Sequence, residues 1–251
     1  MARTVDDDDD EPRTRAPAGA WQRHLATRVD GLTSAVLVFP LFLTYQLGIL
    51  GGRGQNGVDV LTRSLVDLAE RDLHNYLAIL VALLVVYAAV LLVLARRDRF
   101  HPRAFVPAMA ESAVYALTMG TLIVFVMDRA LGVIPGLSVG GGPGAADVVV
   151  ISAGAGFHEE LVFRVLVMGA CAWLLTGLTG ERRAWLLALL VSSLVFSLAH
   201  HVGSSGEPFT FAAFVYRTLA GVFFAVVHRV RGFAVAAWTH ALYDVYVLSL
   251  Q

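Results

Sequence analysis

Phe157-His158-Glu159-Glu160-Leu161-Val162-Phe163-Arg164 places two adjacent carboxylates and a guanidinium within one of the most apolar parts of the sequence. The apolar run around this stretch extends from residue 148 to about residue 175. A charged side chain at the centre of a bilayer costs at least ~2.5–3.5 kcal/mol. Three charges together therefore need partners or a chemical role.

Helical spacing assigns different roles to the two carboxylates. Glu160 and Arg164 are four residues apart with the carboxylate first, so they lie on one helix face and can pair. Glu159 is rotated by roughly 100° from Glu160 and cannot share that pair. Glu159 is therefore the candidate for chemistry. A purely structural ion-pair cluster is the alternative interpretation of all three residues.

The composition indicates a membrane protein. Of the 251 residues, 57% are hydrophobic and only 16% are charged, whereas about 25% of a soluble domain is charged. The single cysteine, Cys171, lies in an apolar segment, which excludes a disulfide framework within the chain and favours packing as its role.

The fold predicted from hydropathy is all-α, a polytopic membrane helix bundle with an active site between helices inside the membrane. A membrane helix needs about 20 largely apolar residues. About seven segments qualify, and they are residues 32–50, 77–95, 108–131, 147–174, 184–201, 209–228 and 232–250.

The remaining segments are polar. Residues 1–30 form an acidic and Arg-containing tail that we expect to be disordered, and residues 31–251 form the transmembrane domain. The connection at 51–76 has an amphipathic pattern typical of an interfacial helix. Residues 132–145 form a Gly/Pro-rich loop, interpreted as a flexible connector or, alternatively, a gate.

The arginines predict the orientation. They occur in the N-terminal tail and in the loops at 96–103, 175–184 and 228–231, whereas the loops at 132–145 and 202–208 contain none. The long connection at 51–76 contains three arginines, which nearby acidic residues offset. Because cytoplasmic loops are enriched in basic residues, the N-terminus is predicted to be cytoplasmic. We expect the membrane to be a bacterial cytoplasmic (inner) membrane.

Two further spans contain ionisable groups. Phe196 and His200 are four residues apart on one span, and His240 and Asp244 are four apart on another. A buried histidine alone is more often structural, but three spans that each contain costly polar groups indicate a shared polar cavity. Arg217 in the sixth span can snorkel or pair with an acid such as Asp244 or Glu160.

These motifs resemble the signatures of the CAAX-protease and bacteriocin-processing (CPBP, or Abi) family. Glu-Glu-x-x-x-Arg at 159–164, Phe-x-x-x-His at 196–200 and His-x-x-x-Asp at 240–244 occur in the family order, and the resemblance covers roughly 108–251. CAAX-processing members have Asn where this chain has Asp244, so the resemblance points to proteolysis more than to prenyl-protein processing. A myxosortase-like branch is a further possibility.

The resemblance implies an intramembrane endopeptidase of glutamic type that acts on a membrane-anchored protein or peptide in the lipid bilayer. Glu159 would be the general base, His200 would hold the water, and His240 with Asp244 would stabilise the oxyanion. Glu160, Arg164 and Phe196 would support the site. No cofactor is expected in this version.

Three alternatives stay open at this point. Zinc held by Glu159, His200 and His240 would make the protein a metalloprotease. A non-proteolytic immunity or scaffolding protein on the same fold would not need Glu159 or His200. A proton-coupled transporter would also use buried carboxylates, but the sequence shows no inverted repeat.

Overall fold

A computed structural model describes residues 27–54, 60–69, 72–132, 143–202 and 206–250, and these residues contain no β-strand. Most of the acidic tail predicted at 1–30, and most of the Gly/Pro loop predicted at 132–145, lie outside the described residues. The end of the tail is described: the backbone N–H of Val29 donates to the carbonyl oxygen of Arg231 at 3.0 Å, which attaches it to the bundle.

Nine α-helices form the described chain. They are α1 (Gly31–Leu50), α2 (Val60–Leu68), α3 (Leu73–Leu94), α4 (Phe105–Val126), α5 (Ala145–Gly154), α6 (Gly169–Thr179), α7 (Glu181–Ala199), α8 (Phe211–Arg231) and α9 (Phe233–Leu248). A 3₁₀ turn, Pro102–Ala104, leads into α4, and a π-helical turn, Met127–Leu131, ends it. The π segment, Ala155–Met168, joins α5 to α6 in one helix of 35 residues.

Six helical spans in the described chain are long and apolar enough to cross a membrane. The seventh predicted span corresponds to α9, which has only 16 residues and is therefore shorter than the roughly 20 residues of a typical span. It lies inside the bundle, with Ala234, Ala236, Ala237 and Ala241 buried. The predicted all-α, multi-pass membrane fold is confirmed, and α2 forms where the amphipathic pattern was recognised.

Capping residues and glycines set the helix boundaries. The side chains of Asp30, Asp72 and Thr210 each accept a hydrogen bond from the backbone N–H three residues on, at the starts of α1, α3 and α8. Gly180 and Gly232 have φ values of 80° and 102° and form the tight reversals before α7 and α9. These short turns hold α6–α7 and α8–α9 as adjacent pairs.

The hydrogen bonds of the described loops show which loops lie at the same end of the bundle. At one end, the backbone of Val29, just before α1, bonds to that of Arg231, and Asp98 accepts a hydrogen bond from the first turn of α1 at 3.2 Å. At the other end of α1, the N–H of Gly54 donates to Asp147 at 3.3 Å. The loop that contains Asp98 and the turn after α8 therefore share one end, and the Arg229–Glu181 ion pair joins the turn before α7 to them. The start of α5 lies at the opposite end, next to Arg53.

Candidate active site

A close approach between the π segment and α9 positions the charged motif. A Cβ atom on Gly156 would lie 2.5 Å from the carbonyl oxygen of Ala237 and 2.7 Å from the Cβ of Ala241, so only glycine fits at this crossing. The i→i+5 turns of π-helices are rare and occur frequently at functional sites. The crossing brings Glu160 of the π segment next to His240 of α9.

Glu160 connects two of the three motifs. Its side chain is fully buried, and the Nε of Arg164 donates to its Oε2 at 3.1 Å. Its other oxygen accepts from the Nδ1 of His240 at 2.9 Å. The spacing in the sequence predicted the contact with Arg164, but the contact with His240 joins residues 80 positions apart and could not be read from spacing.

Arg164 is braced from two further directions. Its Nη1 donates to the Oγ of Ser192 at 3.0 Å, and that hydroxyl donates to the carbonyl oxygen of Phe163 at 2.7 Å. Its guanidinium carbon lies 4.9 Å from the centre of the Phe196 ring, within cation–π range. Sequence reasoning missed Ser192, whose only signal was a hydroxyl within an apolar span.

Glu159 and His200 face one another. The Oε2 of Glu159 lies 3.6 Å from the Nε2 of His200. The Nδ1 of His200 is 2.8 Å from the carbonyl oxygen of Phe196, which can only accept, so this nitrogen carries the proton. In the neutral ring, Nε2 is therefore an acceptor that faces a carboxylate. A water molecule that donates to both groups suits this arrangement.

His240 is held between two carboxylates and against an aromatic ring. Its Nε2 lies 3.8 Å from Asp244, while its Nδ1 bonds to Glu160. The Phe224 ring stacks on it with centroids 4.3 Å apart and planes 16° apart. The Phe196 ring also contacts it, edge to face at 5.9 Å. Phe224 was not recognised from the sequence.

One cavity of about 330 Å³ contains all four predicted catalytic residues, Glu159, His200, His240 and Asp244. Of the three predicted supporting residues, Phe196 lines this cavity, whereas Glu160 and Arg164 are buried behind it. The structure thus brings every predicted site residue together.

His158 lies on the other side of the π segment. Its Nε2 is 3.5 Å from the side-chain nitrogen of Gln46, and it lines a second, mostly apolar cavity of about 660 Å³. The two cavities have no lining residue in common. A molecule in the apolar cavity would therefore not touch Glu159.

Arg217 pairs with an acidic group, but that group is neither Asp244 nor Glu160. Its Nη2 instead contacts the carboxylate of Glu207, in the segment between α7 and α8. That segment folds back because the N–H of Glu207 donates to the carbonyl oxygen of His200 at 2.9 Å. The hydroxyls of Tyr216 and Tyr243 also contact each other at the cavity wall. None of these contacts has a signal in the spacing of the sequence.

The zinc alternative does not fit this arrangement well. Among the residues that the structure describes, no group of three His, Cys, Asp or Glu side chains is arranged to hold a metal ion. The Nδ1 of His240 is engaged by Glu160, and its Nε2 faces Asp244. We therefore derive no step through a metal.

Comparison with protein families gives one match. Residues 142–246 match the model of the family described as type II CAAX prenyl endopeptidase, Rce1-like, which belongs to the CPBP group. Comparisons with curated proteins and with solved structures give no significant match. The matched residues include all three motifs but do not identify a myxosortase-like branch. Residues 142–246, which contain all three motifs, are therefore similar to the CPBP family of membrane-embedded, CAAX-type endopeptidases.

Proposed function

We propose that this protein is a glutamic intramembrane endopeptidase in which Glu159 and His200 activate the attacking water. The strongest support is that the two side chains face each other inside the cavity, where the Oε2 of Glu159 lies 3.6 Å from the Nε2 of His200. Two acceptors at this separation can both receive hydrogen bonds from one water molecule. The water oxygen then keeps a lone pair for the substrate carbonyl carbon.

The proposed reaction needs only the chain's own residues and water. Glu159 takes a proton from the water as the oxygen attacks, and a carbon–oxygen bond forms to give a tetrahedral intermediate. The protonated Glu159 then gives its proton to the leaving amide nitrogen, and the carbon–nitrogen bond breaks. The products are a new carboxyl group and a new amine.

His240 would stabilise the negative oxygen of the intermediate. Carboxylate oxygens face both of its nitrogens, so the arrangement suits a ring that has two N–H donors. Its Nδ1–H bond to Glu160 fixes the ring, and the Nε2–H on the Asp244 side is available to an oxyanion. Glu160 is therefore a positioning residue rather than a catalytic one.

The substrate would be a membrane-anchored protein or peptide that enters from the Arg-poor end of the bundle. The cavity is lined by Glu207, by Ile151 in α5 and by Leu248 at the end of α9, all at the end away from the Arg-bearing turns. By the positive-inside rule, this end faces outward and the N-terminus is cytoplasmic. A bacterial inner membrane with exported substrates fits this orientation, whereas CAAX proteins are cytosolic.

The proposal can be tested in two strains, one with the wild-type enzyme and one with the Glu159→Gln variant. The termini of the cellular membrane proteins are compared between the strains. We expect at least one membrane-anchored protein to accumulate uncleaved in the variant, at equal enzyme abundance. Glu181→Gln is the matched control, since Glu181 is 84% exposed and remote from the cavity. If the membrane proteins have identical termini in the two strains, the result would instead support the non-proteolytic alternative.

A further inference from the structure

A long apolar groove runs between α1 and α3, on the side of the π segment that faces away from Glu159. It is the cavity of about 660 Å³ that His158 lines, and its volume is in the range of ligand-binding cavities. Its lining residues on α1 extend from Gly31 to Gln46, which at ~1.5 Å per residue corresponds to roughly 22 Å. The groove is therefore longer than the ~15 Å half-thickness of a bilayer core, and its length suits one extended acyl chain.

The wall that α3 contributes is an apolar stripe that the described residues leave open. Its members are spaced three or four residues apart on one helix face, and they are Leu83, Val86, Tyr87, Val90 and Leu94. Val86 and Val90 are nevertheless 60% and 47% exposed. The facing wall of α1 begins with the small residues Gly31, Ser34 and Ala35, which leave more room at that end of the groove.

Arg28 lies at this wider end of the groove, and no carboxylate pairs with it among the residues that the structure describes. Burial, and then the nearby charge of Arg229, lower the pKa of Arg28 from its usual value, although arginine stays charged in proteins. The backbone of Val29 is bonded to that of Arg231, and a Cβ atom on Gly232 would lie 3.6 Å from the Nε of Arg28. Two neighbouring cations on a fixed segment favour an anionic ligand, and basic pockets between membrane helices bind lipid headgroups in this way.

Asp30 also lines the groove, but its carboxylate is engaged within the protein. One oxygen accepts a hydrogen bond from the backbone N–H of Thr33 at 2.8 Å, and the other lies 3.1 Å from the Nδ1 of His101. The charge available to a ligand at this end is therefore that of Arg28. Because α1 is a membrane-spanning helix that begins at Gly31, Arg28 lies at the depth of the lipid headgroups.

We propose that this groove binds a phospholipid of the surrounding bilayer that has an anionic headgroup, with its phosphate on Arg28 and one acyl chain between α1 and α3. The chain would cover the open stripe of α3 and pack against Phe157 and Leu161, which flank Glu159 and Glu160. The lipid is a structural ligand rather than a substrate, since the groove and the catalytic cavity have no lining residue in common. The proposal does not depend on the endopeptidase function.

Photo-crosslinking with lipids of defined headgroup tests the proposal. Purified full-length protein is placed in phosphatidylcholine vesicles that contain a small fraction of one probe, either phosphatidylglycerol or phosphatidylcholine with a photoreactive group at the end of one acyl chain. Mass spectrometry then locates the labelled peptides. We expect the phosphatidylglycerol probe to label the peptides of α1 and the π segment that line the groove about fivefold more than the phosphatidylcholine probe does.

Two pairs of variants separate the headgroup site from the acyl-chain site. Arg28→Gln should reduce labelling by the phosphatidylglycerol probe to the level of the phosphatidylcholine probe, and Arg28→Lys should keep part of the preference. Arg183→Gln is the matched control, since Arg183 is exposed and does not line the groove. Val90→Trp should exclude both probes because it fills the groove. Leu92→Trp is its control, because Leu92 is 68% exposed and does not line the groove.

Three results would overturn the proposal, with all variants compared at equal folded amounts. The first is equal labelling by the two probes, or a preference for phosphatidylglycerol that persists in Arg28→Gln. The second is labelling that is unchanged in Val90→Trp, since the acyl chains would then lie on the outer surface of the bundle. The third is the absence of label from the groove peptides of the wild-type protein, as expected if a second copy of the chain fills the groove.

Discussion

Glu160→Gln separates the positioning carboxylate from the catalytic one. The substitution preserves the shape of the side chain but removes the charge between Arg164 and His240, at a position with no solvent exposure. Removal of one partner from a buried ion pair costs about 3–5 kcal/mol, because the other charge stays buried. For a chain of this size, that corresponds to a fall in Tm on the order of 10 °C.

Glu159→Gln should behave differently. Glu159 lines the cavity and faces His200 at 3.6 Å, so the amide costs about 1 kcal/mol or less in stability. We expect its Tm to stay near the wild-type value while cleavage is lost. The assay measures the Tm of each variant in the same detergent. The cleavage rate per folded molecule is then measured at a temperature where all variants are folded.

Glu111→Gln is the control for stability alone. Glu111 and Arg231 form a second buried pair, with nitrogen–oxygen distances of 2.6 and 3.0 Å, at the Arg-bearing end of the bundle. This variant should lose stability like Glu160→Gln but keep its turnover when folded. The reasoning is refuted if Glu160→Gln has the wild-type Tm, or if Glu159→Gln loses as much stability as Glu160→Gln.

Three other predictions follow from the same geometry. Purified enzyme should contain no stoichiometric metal and should keep its activity after chelation; one zinc per chain, whose removal abolishes activity and whose return restores it, would contradict the metal-free mechanism. In a Cys171→Ser background, an impermeant maleimide added to intact cells should label the cysteine of the Pro208→Cys variant and not that of the Arg183→Cys variant. The reverse pattern would place the cavity on the cytoplasmic side. Phe196→Leu removes the ring that contacts Arg164, His200 and His240. We therefore expect kcat to fall about tenfold or more with little change in KM. An unchanged kcat would show that the ring does not position the site.

Local patterns in the sequence predict the fold, and they predict which residues of the candidate site lie together in one cavity. Continuous apolar runs define the spans, and spacings of four residues place Glu160 beside Arg164 and His240 beside Asp244. The cost of charge in the bilayer then indicates that these groups share one cavity. Only α9 is shorter than its apolar run suggests.

The connections between motifs could not be predicted, since they depend on how the helices pack. The Glu160–His240 bond exists because Gly156 permits the π segment to approach α9 closely. The pairing of Arg217 with Glu207 depends on a loop that folds back towards His200, and a loop has no periodicity from which its path can be read. The π-helical turns of the central segment likewise have no signature in the apolar pattern.

The most direct test of the account is the rate at which purified protein in proteoliposomes cleaves a membrane-anchored substrate identified by the comparison of termini. Mass spectrometry would measure both products for wild-type, Glu159→Gln and Glu181→Gln proteins of equal folded amount. The account predicts that Glu159→Gln cleaves at least about 100-fold more slowly and that Glu181→Gln cleaves at the wild-type rate. Cleavage by Glu159→Gln at the wild-type rate would contradict the assignment of Glu159 as the base.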